Sequence, residues 1–173
     1  MTRLKTKLSA LLPFIGLLCA QAQRDMKTIN DGWFFRKAST ENWQPVNVPH
    51  TYNLDAYSQR NYYMGKAFYQ KSFVLPKVPQ GKRCFLKIDA ASKAADLTLN
   101  GQKIGSHAGG YSAFTFDITP YLQKNNTIEI TVDNSRKDIT PISADFTFWG
   151  GIYRDVWLIT TSEPVSYTHL RAH

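Results

Sequence analysis

The residues best suited to chemistry lie in one stretch, Ser143-Ala144-Asp145-Phe146-Thr147-Phe148-Trp149-Gly150-Gly151-Ile152-Tyr153-Arg154-Asp155-Val156-Trp157. Its first half sets one carboxylate, Asp145, among Phe146, Phe148, Trp149 and Tyr153. A carboxylate accepts hydrogen bonds from sugar hydroxyls, and aromatic faces pack on the C–H faces of a sugar ring, so a loop of this kind on a rigid strand suits sugar binding. Gly150-Gly151 is expected to hinge the loop onto a strand over 152–159, a run rich in β-branched and aromatic residues. Taken alone, the same residues also read as a solvated acidic loop beside core aromatics. A second polar group is Arg60-Asn61-Tyr62-Tyr63, inside the tyrosine-rich segment 55–64. Arginine and asparagine donate to oxygen, and tyrosine offers both a face and a hydroxyl. Its alternative reading is a long loop packing its own side chains. His50, in the proline-punctuated segment Val48-Pro49-His50-Thr51-Tyr52-Asn53, reads as structural or solvated before it reads as a ligand.

These groups need elements to hold them. Ile29-Asn30-Asp31-Gly32 is a turn feeding the aromatic strand that opens at Trp33. Residues 41–53, broken by Pro45 and Pro49, read as loop. Residues 66–75 read as a strand closed by Pro76 and Pro79. Residues 83–89 alternate, with Cys84, Leu86 and Ile88 on one face, and Leu97 and Leu99 continue the pattern. Asn100-Gly101 is a hairpin signal, because both central residues of a type I′ turn need φ > 0. Residues 113–118 alternate through Phe114, Phe116 and Ile118. Thr119-Pro120 is expected to open one helical turn, with Thr119 as its cap. Asn125-Asn126 reads as a turn, and Ile128, Ile130 and Val132 mark a half-buried strand over 127–133. Short strands joined by turns, with no long helix, define an all-β antiparallel sandwich, one face of each sheet wet.

The 173-residue chain suits one domain, and a hydrophobic content of 43% with 13% aromatics excludes disorder. Residues 1–22 read as a secretory leader. Arg3, Lys5 and Lys7 precede an apolar run over 8–18, and Ala20-Gln21-Ala22 is a cleavage pattern that makes Gln23 the first mature residue. The mature protein is thus expected in a periplasmic or secreted location, off the membrane. The net charge of +8, less those three, leaves +5 on the remainder, spread over scattered lysines and arginines. No stripe or recognition motif is present, which argues against nucleic acid as a partner. Cys19 departs with the leader, so Cys84 is expected to act as a small buried hydrophobe. The domain is placed at 23–163. Residues 164–173 match no element and read as a tail foreign to the fold.

Asn30-Asp31-Gly32-Trp33, Val48-Pro49-His50-Thr51, Phe68-Tyr69-Gln70-Lys71, Leu99-Asn100-Gly101, Gly105-Ser106-His107-Ala108-Gly109-Gly110-Tyr111, Phe116-Asp117-Ile118-Thr119, Val132-Asp133-Asn134 and Gly150-Gly151-Ile152-Tyr153-Arg154-Asp155-Val156 occur in this order. Together they resemble glycoside hydrolase family 2, over about residues 27–161. The resemblance implies the N-terminal sugar-binding domain, a jelly-roll-like antiparallel β-sandwich, of an enzyme of β-galactosidase or β-glucuronidase type. It would be followed by an immunoglobulin-like domain and a (β/α)₈ barrel. That barrel would supply two catalytic glutamates about 5–5.5 Å apart for a retaining mechanism, and nothing in this chain resembles it. The resemblance assigns no catalytic residue, cofactor or metal here. It does imply that Asp145 contacts hydroxyls of the terminal sugar and that Asn61 makes a second contact. The expected partner is a β-galactoside or related glycoside, together with the downstream domains. The alternatives are a free-standing carbohydrate-binding module and a ligand-free adhesive sandwich.

Overall fold

The computed structural model describes residues 24–54, 62–75, 81–139 and 147–162. The leader, the tail, Asn61 and Asp145 lie outside the described residues. Among the described residues there are ten strands: β1 (Arg24–Thr28), β2 (Trp33–Lys37), β3 (Gln44–Val46), β4 (Lys66–Val74), β5 (Lys82–Ile88), β6 (Ala94–Leu99), β7 (Gln102–Ala108), β8 (Phe114–Asp117), β9 (Asn125–Asp133) and β10 (Val156–Ser162). They form a four-stranded sheet in the order β1-β10-β5-β8 and a six-stranded sheet in the order β3-β2-β4-β9-β6-β7. Every pairing is antiparallel.

The core lies between the sheets. The larger sheet contributes Trp33, Tyr69, Leu97, Leu99, Ile130 and Val132, and the smaller contributes Cys84, Leu86, Ile88, Val156 and Leu158. Period-two alternation sorts these side chains inward. Each fully buried aliphatic contributes about 1.5–3 kcal/mol by leaving water. The buried Trp33 indole also satisfies its one polar atom, its Nε1–H donating to the Ile29 carbonyl at 2.7 Å. Cys84 packs as expected, and burial pushes its thiol up to about 11.

The hairpin signal holds. Asn100 and Gly101 both have positive φ (52° and 78°) and join Leu99 to its partner Gln102. Four expectations need correction. The segment 41–53 contains a short strand, β3. Pro45 is tolerated there because β3 is the sheet's edge and a missing N–H costs least on an edge strand. Asn125 and Asn126 open β9 instead of making a turn, and the buried Asn126 amide ties Gln123 to Asn100. Thr119 lies within the 3₁₀ turn Thr119–Tyr121 and does not cap it. Asp117 accepts from the Thr119 N–H at 3.0 Å, while the Thr119 hydroxyl accepts from Cys84 N–H and donates to its carbonyl. The outer face of the smaller sheet is not uniformly wet. Phe85 and Ile159, paired in register, alternate away from the core and are buried as well, with the Arg83 guanidinium over the Phe85 ring.

Candidate functional site

The register fixes which loops meet. Lys66 pairs with Asp133, Asp133 with Ala94, and Ala94 with Ala108, while Ile88 pairs with both Val156 and Phe114. The β5–β6, β7–β8 and β9–β10 connections therefore leave the sandwich at one end, and the β3–β4 connection enters β4 there. Residues 147–155 enter this end and lead into β10.

That segment differs from the expected strand over 152–159, because the ladder begins only at Val156. Before it, successive carbonyls are taken by other loops. Tyr52 N–H donates to Gly150 O (3.2 Å), Ser92 N–H to Gly151 O (3.2 Å), and His50 N–H to Ile152 O (2.7 Å). A chain whose carbonyls point to two different loops cannot pair along one neighbour. The glycine hinge is real and has a steric reason. Gly151 sits at φ +121°, and a Cβ there would fall 2.4 Å from the His50 carbonyl. At Gly150 a Cβ would lie 2.3 Å from the Tyr52 ring.

Phe148 is the anchor of this segment. Its carbonyl accepts from Asn53 Nδ2 at 2.8 Å and Asn134 Nδ2 at 3.1 Å, and its N–H donates to the Tyr62 hydroxyl at 3.2 Å. Asn53 Oδ1 accepts from Gly150 N–H and from the Thr51 hydroxyl, both at 2.8 Å. Asn134 Oδ1 accepts from Gly65 N–H at 2.8 Å. Both amides are fully buried. Lys93 is only 4% exposed, and its ammonium lies 4.1 Å from the centroid of the Phe148 ring. None of these three residues was marked as functional by sequence reasoning. Their bonds to Phe148 and Gly150 join separate loops, and a sequence pattern carries no signal for such pairs. Asn53 and Asn134 do fall within or beside the motifs that carry the family resemblance.

His50 is structural, as its sequence context suggests. Its Nδ1 lies 2.7 Å from the Tyr69 hydroxyl, its ring packs 4.7 Å from that of Phe35, and burial lowers its pKa. Burial pushes the Tyr52 and Tyr69 hydroxyls well above the usual phenol range. Tyr153 closes the loop end from the other side, its hydroxyl donating to the Gly110 carbonyl. Among the described residues, no group of three or more His, Cys, Asp or Glu side chains is placed to hold a metal ion. Nor does any helix among them have the length and apolarity to cross a membrane. Of the two expected sugar contacts, the structure describes the flanks: Tyr62 follows Asn61, and the Phe148 anchor lies three residues after Asp145.

A two-sheet antiparallel sandwich with one well-pinned loop end matches a known family. Residues 33–162 fit the glycosyl hydrolases family 2 sugar binding domain, and the chain belongs to that family. The chain is 38% identical over 167 residues to a β-glucuronidase of Bacteroides fragilis, a match that covers 92% of this chain and 24% of that protein. It is 33% identical over 138 residues to a β-galactosidase of Thermoanaerobacter pseudethanolicus, covering 75% of this chain and 18% of the relative. The crystal structure of a Bacteroides uniformis β-glucuronidase superposes with a TM-score of 0.74 at 45% identity, over 80% of this chain and 18% of that one. The chain thus spans a quarter or less of the length of these relatives.

Proposed function

We propose that this chain is the sugar-binding domain of an exported, retaining exo-β-glycosidase. In that enzyme Asp145 and Asn61 hold hydroxyls of the terminal sugar, and both catalytic carboxylates come from a barrel outside this chain. The observation that carries the reading is the family match across residues 33–162, at a similarity that includes 45% identity to a β-glucuronidase structure. Sequence resemblance alone points to a β-galactoside. The more similar relatives bear the name β-glucuronidase, so a β-glucuronide is the first substrate to test and a β-galactoside the second. Export rests on the leader pattern over 1–22, and N-terminal sequencing of the mature protein should begin at Gln23.

The role of this chain in such an enzyme is to complete a pocket, not to break the bond. A carboxylate in a partly desolvated pocket accepts charge-assisted hydrogen bonds that an aqueous competitor offers less well. The test is turnover of nitrophenyl β-D-glucuronide and β-D-galactoside by the full-length enzyme, with retention of anomeric configuration read by NMR. A folded enzyme that turns over neither substrate, or that inverts the anomer, overturns the reading. Titration of the isolated chain with either sugar should give binding weaker than millimolar, since most contacts belong to the barrel. Micromolar binding would favour the free-standing module instead.

A further inference from the structure

We infer that the outer face of the six-stranded sheet carries a binding surface for a neutral β-linked polysaccharide, built on an aromatic platform from β2, β4 and the residue before β3. Phe35, Ala67 and Tyr69 point into the core, so period-two alternation turns Phe34, Arg36 and Phe68 outward. On that face Phe34 is 48% exposed and Trp43 is 40% exposed. The Arg36 guanidinium lies over the Trp43 ring, 5.1 Å from its centroid, and over the Phe68 ring at 4.3 Å. Its Nη1 donates to the Thr40 carbonyl at 3.2 Å. A stacked cation thus orders rings that are left at the surface, and rigid aromatic area of this kind packs against the C–H face of a sugar. A polar ladder continues from the rings. Phe34 pairs in register with Gln70, and Gln70 with Glu129. Gln70 Nε2 donates to Glu129 Oε1 at 3.1 Å, which fixes both groups. An amide and a carboxylate have capacity for sugar hydroxyls beyond that one bond. From Phe34 to Glu129 is two strand spacings, about 10 Å, so rings and hydrogen-bonding groups fall within the span of a short oligosaccharide.

The charges on this face decide the ligand. Arg36 and Lys66 on β2 and β4 are answered by Glu129 and Asp96 on β9 and β6, and Lys103 on β7 bridges to Asp96 at 3.4 Å. A polyanion needs a field of one sign, so nucleic acid and acidic polysaccharides are poorly matched. A second copy of the chain also fits less well. Interface cores are depleted in charge, whereas Arg36 lies against the rings and Glu129 beside them. Pro45, paired with Phe34, blunts the edge strand β3 against strand addition. What remains is an uncharged chain whose units present apolar ring faces and a rim of hydroxyls.

The test is affinity electrophoresis of the full-length protein in gels holding hydroxyethyl cellulose, which is neutral, or carboxymethyl cellulose, which has the same backbone and is anionic. Hydroxyethyl cellulose should retard the protein. Trp43→Ala and Phe34→Ala should each raise the polysaccharide concentration for half-maximal retardation by about tenfold, the scale of losing an aromatic anchor, and Trp43→Phe should keep most of the binding. Circular dichroism checks that the variants are folded. Should Trp43→Ala not fold, Phe34→Ala carries the comparison, since its ring is the more exposed of the two. A parent that is not retarded overturns the inference, and that is also the result if downstream domains cover this face. So does retardation that both alanine variants retain, or retardation by carboxymethyl cellulose alone that salt abolishes. A dimer that Phe34→Ala converts to monomer would assign the face to a second copy and overturn it too. Retardation needs no turnover, so this inference and the function proposed above fail separately.

Discussion

Asn53 accepts from a neighbouring hydroxyl and from Gly150, and donates to Phe148, all while fully buried. Removing its amide leaves Gly150 N–H without its acceptor in a closed site. Asn53→Ala should therefore cost about 1–3 kcal/mol, read by urea unfolding of the chain. Gly151→Ala should cost a further class of energy, strain, at about 1–3 kcal/mol or more, because it combines positive φ with contact against the His50 carbonyl. In the full-length enzyme, Asp145→Ala should lower kcat/KM by about 2–4 kcal/mol, the scale of losing a charged acceptor in a desolvated pocket. Activity within twofold of the parent would refute that. Little of this pinning is legible in sequence. The aromatic-rich segment and the glycine pair are visible as types, but Asn53 and Phe148 are 95 positions apart, and only the fold brings them together.

At the scale of elements, legibility followed burial. Strand β9 alternates because one face is dry, and its sequence records it, whereas β5 buries Cys84, Phe85 and Leu86 in a row. Strand β1 carries no alternation because all five of its residues are exposed, and backbone pairing with β10 places it in the sheet. Strand β3 was hidden by Pro45, which signals a break except at an edge. In β9, Ile130→Ala should cost about 2–5 kcal/mol, since its side chain is 1% exposed between the sheets. The β5–β8 pair carries a titrating device. Burial raises the Asp117 carboxyl, but hydrogen bonds from Thr119 and the ion pair with Arg83 outweigh it, and the net shift is downward. A folded value below the unfolded one, about 3.9, means a contribution fully present above that pH and lost as pH falls through the lowered value. Asp117→Asn should flatten the stability curve in that acid window, and leave its shape near neutrality unchanged.

For the molecule as a whole, two histidines set a second window. Burial lowers both His50 and His107, so folding favours their neutral forms. The unfolded chain then binds more protons below about pH 6.5, and stability should decline as pH falls from there through their lowered folded values. Urea midpoints at pH 7 and pH 5 check this, and equal midpoints would contradict it. Fold class was readable from turns and alternation. The site was readable only in outline, because its fixed points are backbone carbonyls shared between loops.

The order β1-β10-β5-β8 has a consequence for how the protein is made. Strand β10 lies between β1 and β5, so β1 cannot join the β5–β8 pair until residues 156–162 have left the ribosome. Until then β1 has no strand to pair with, and the buried side chains of β5 face water along one flank. Such long-range closure slows folding and lengthens the time spent open.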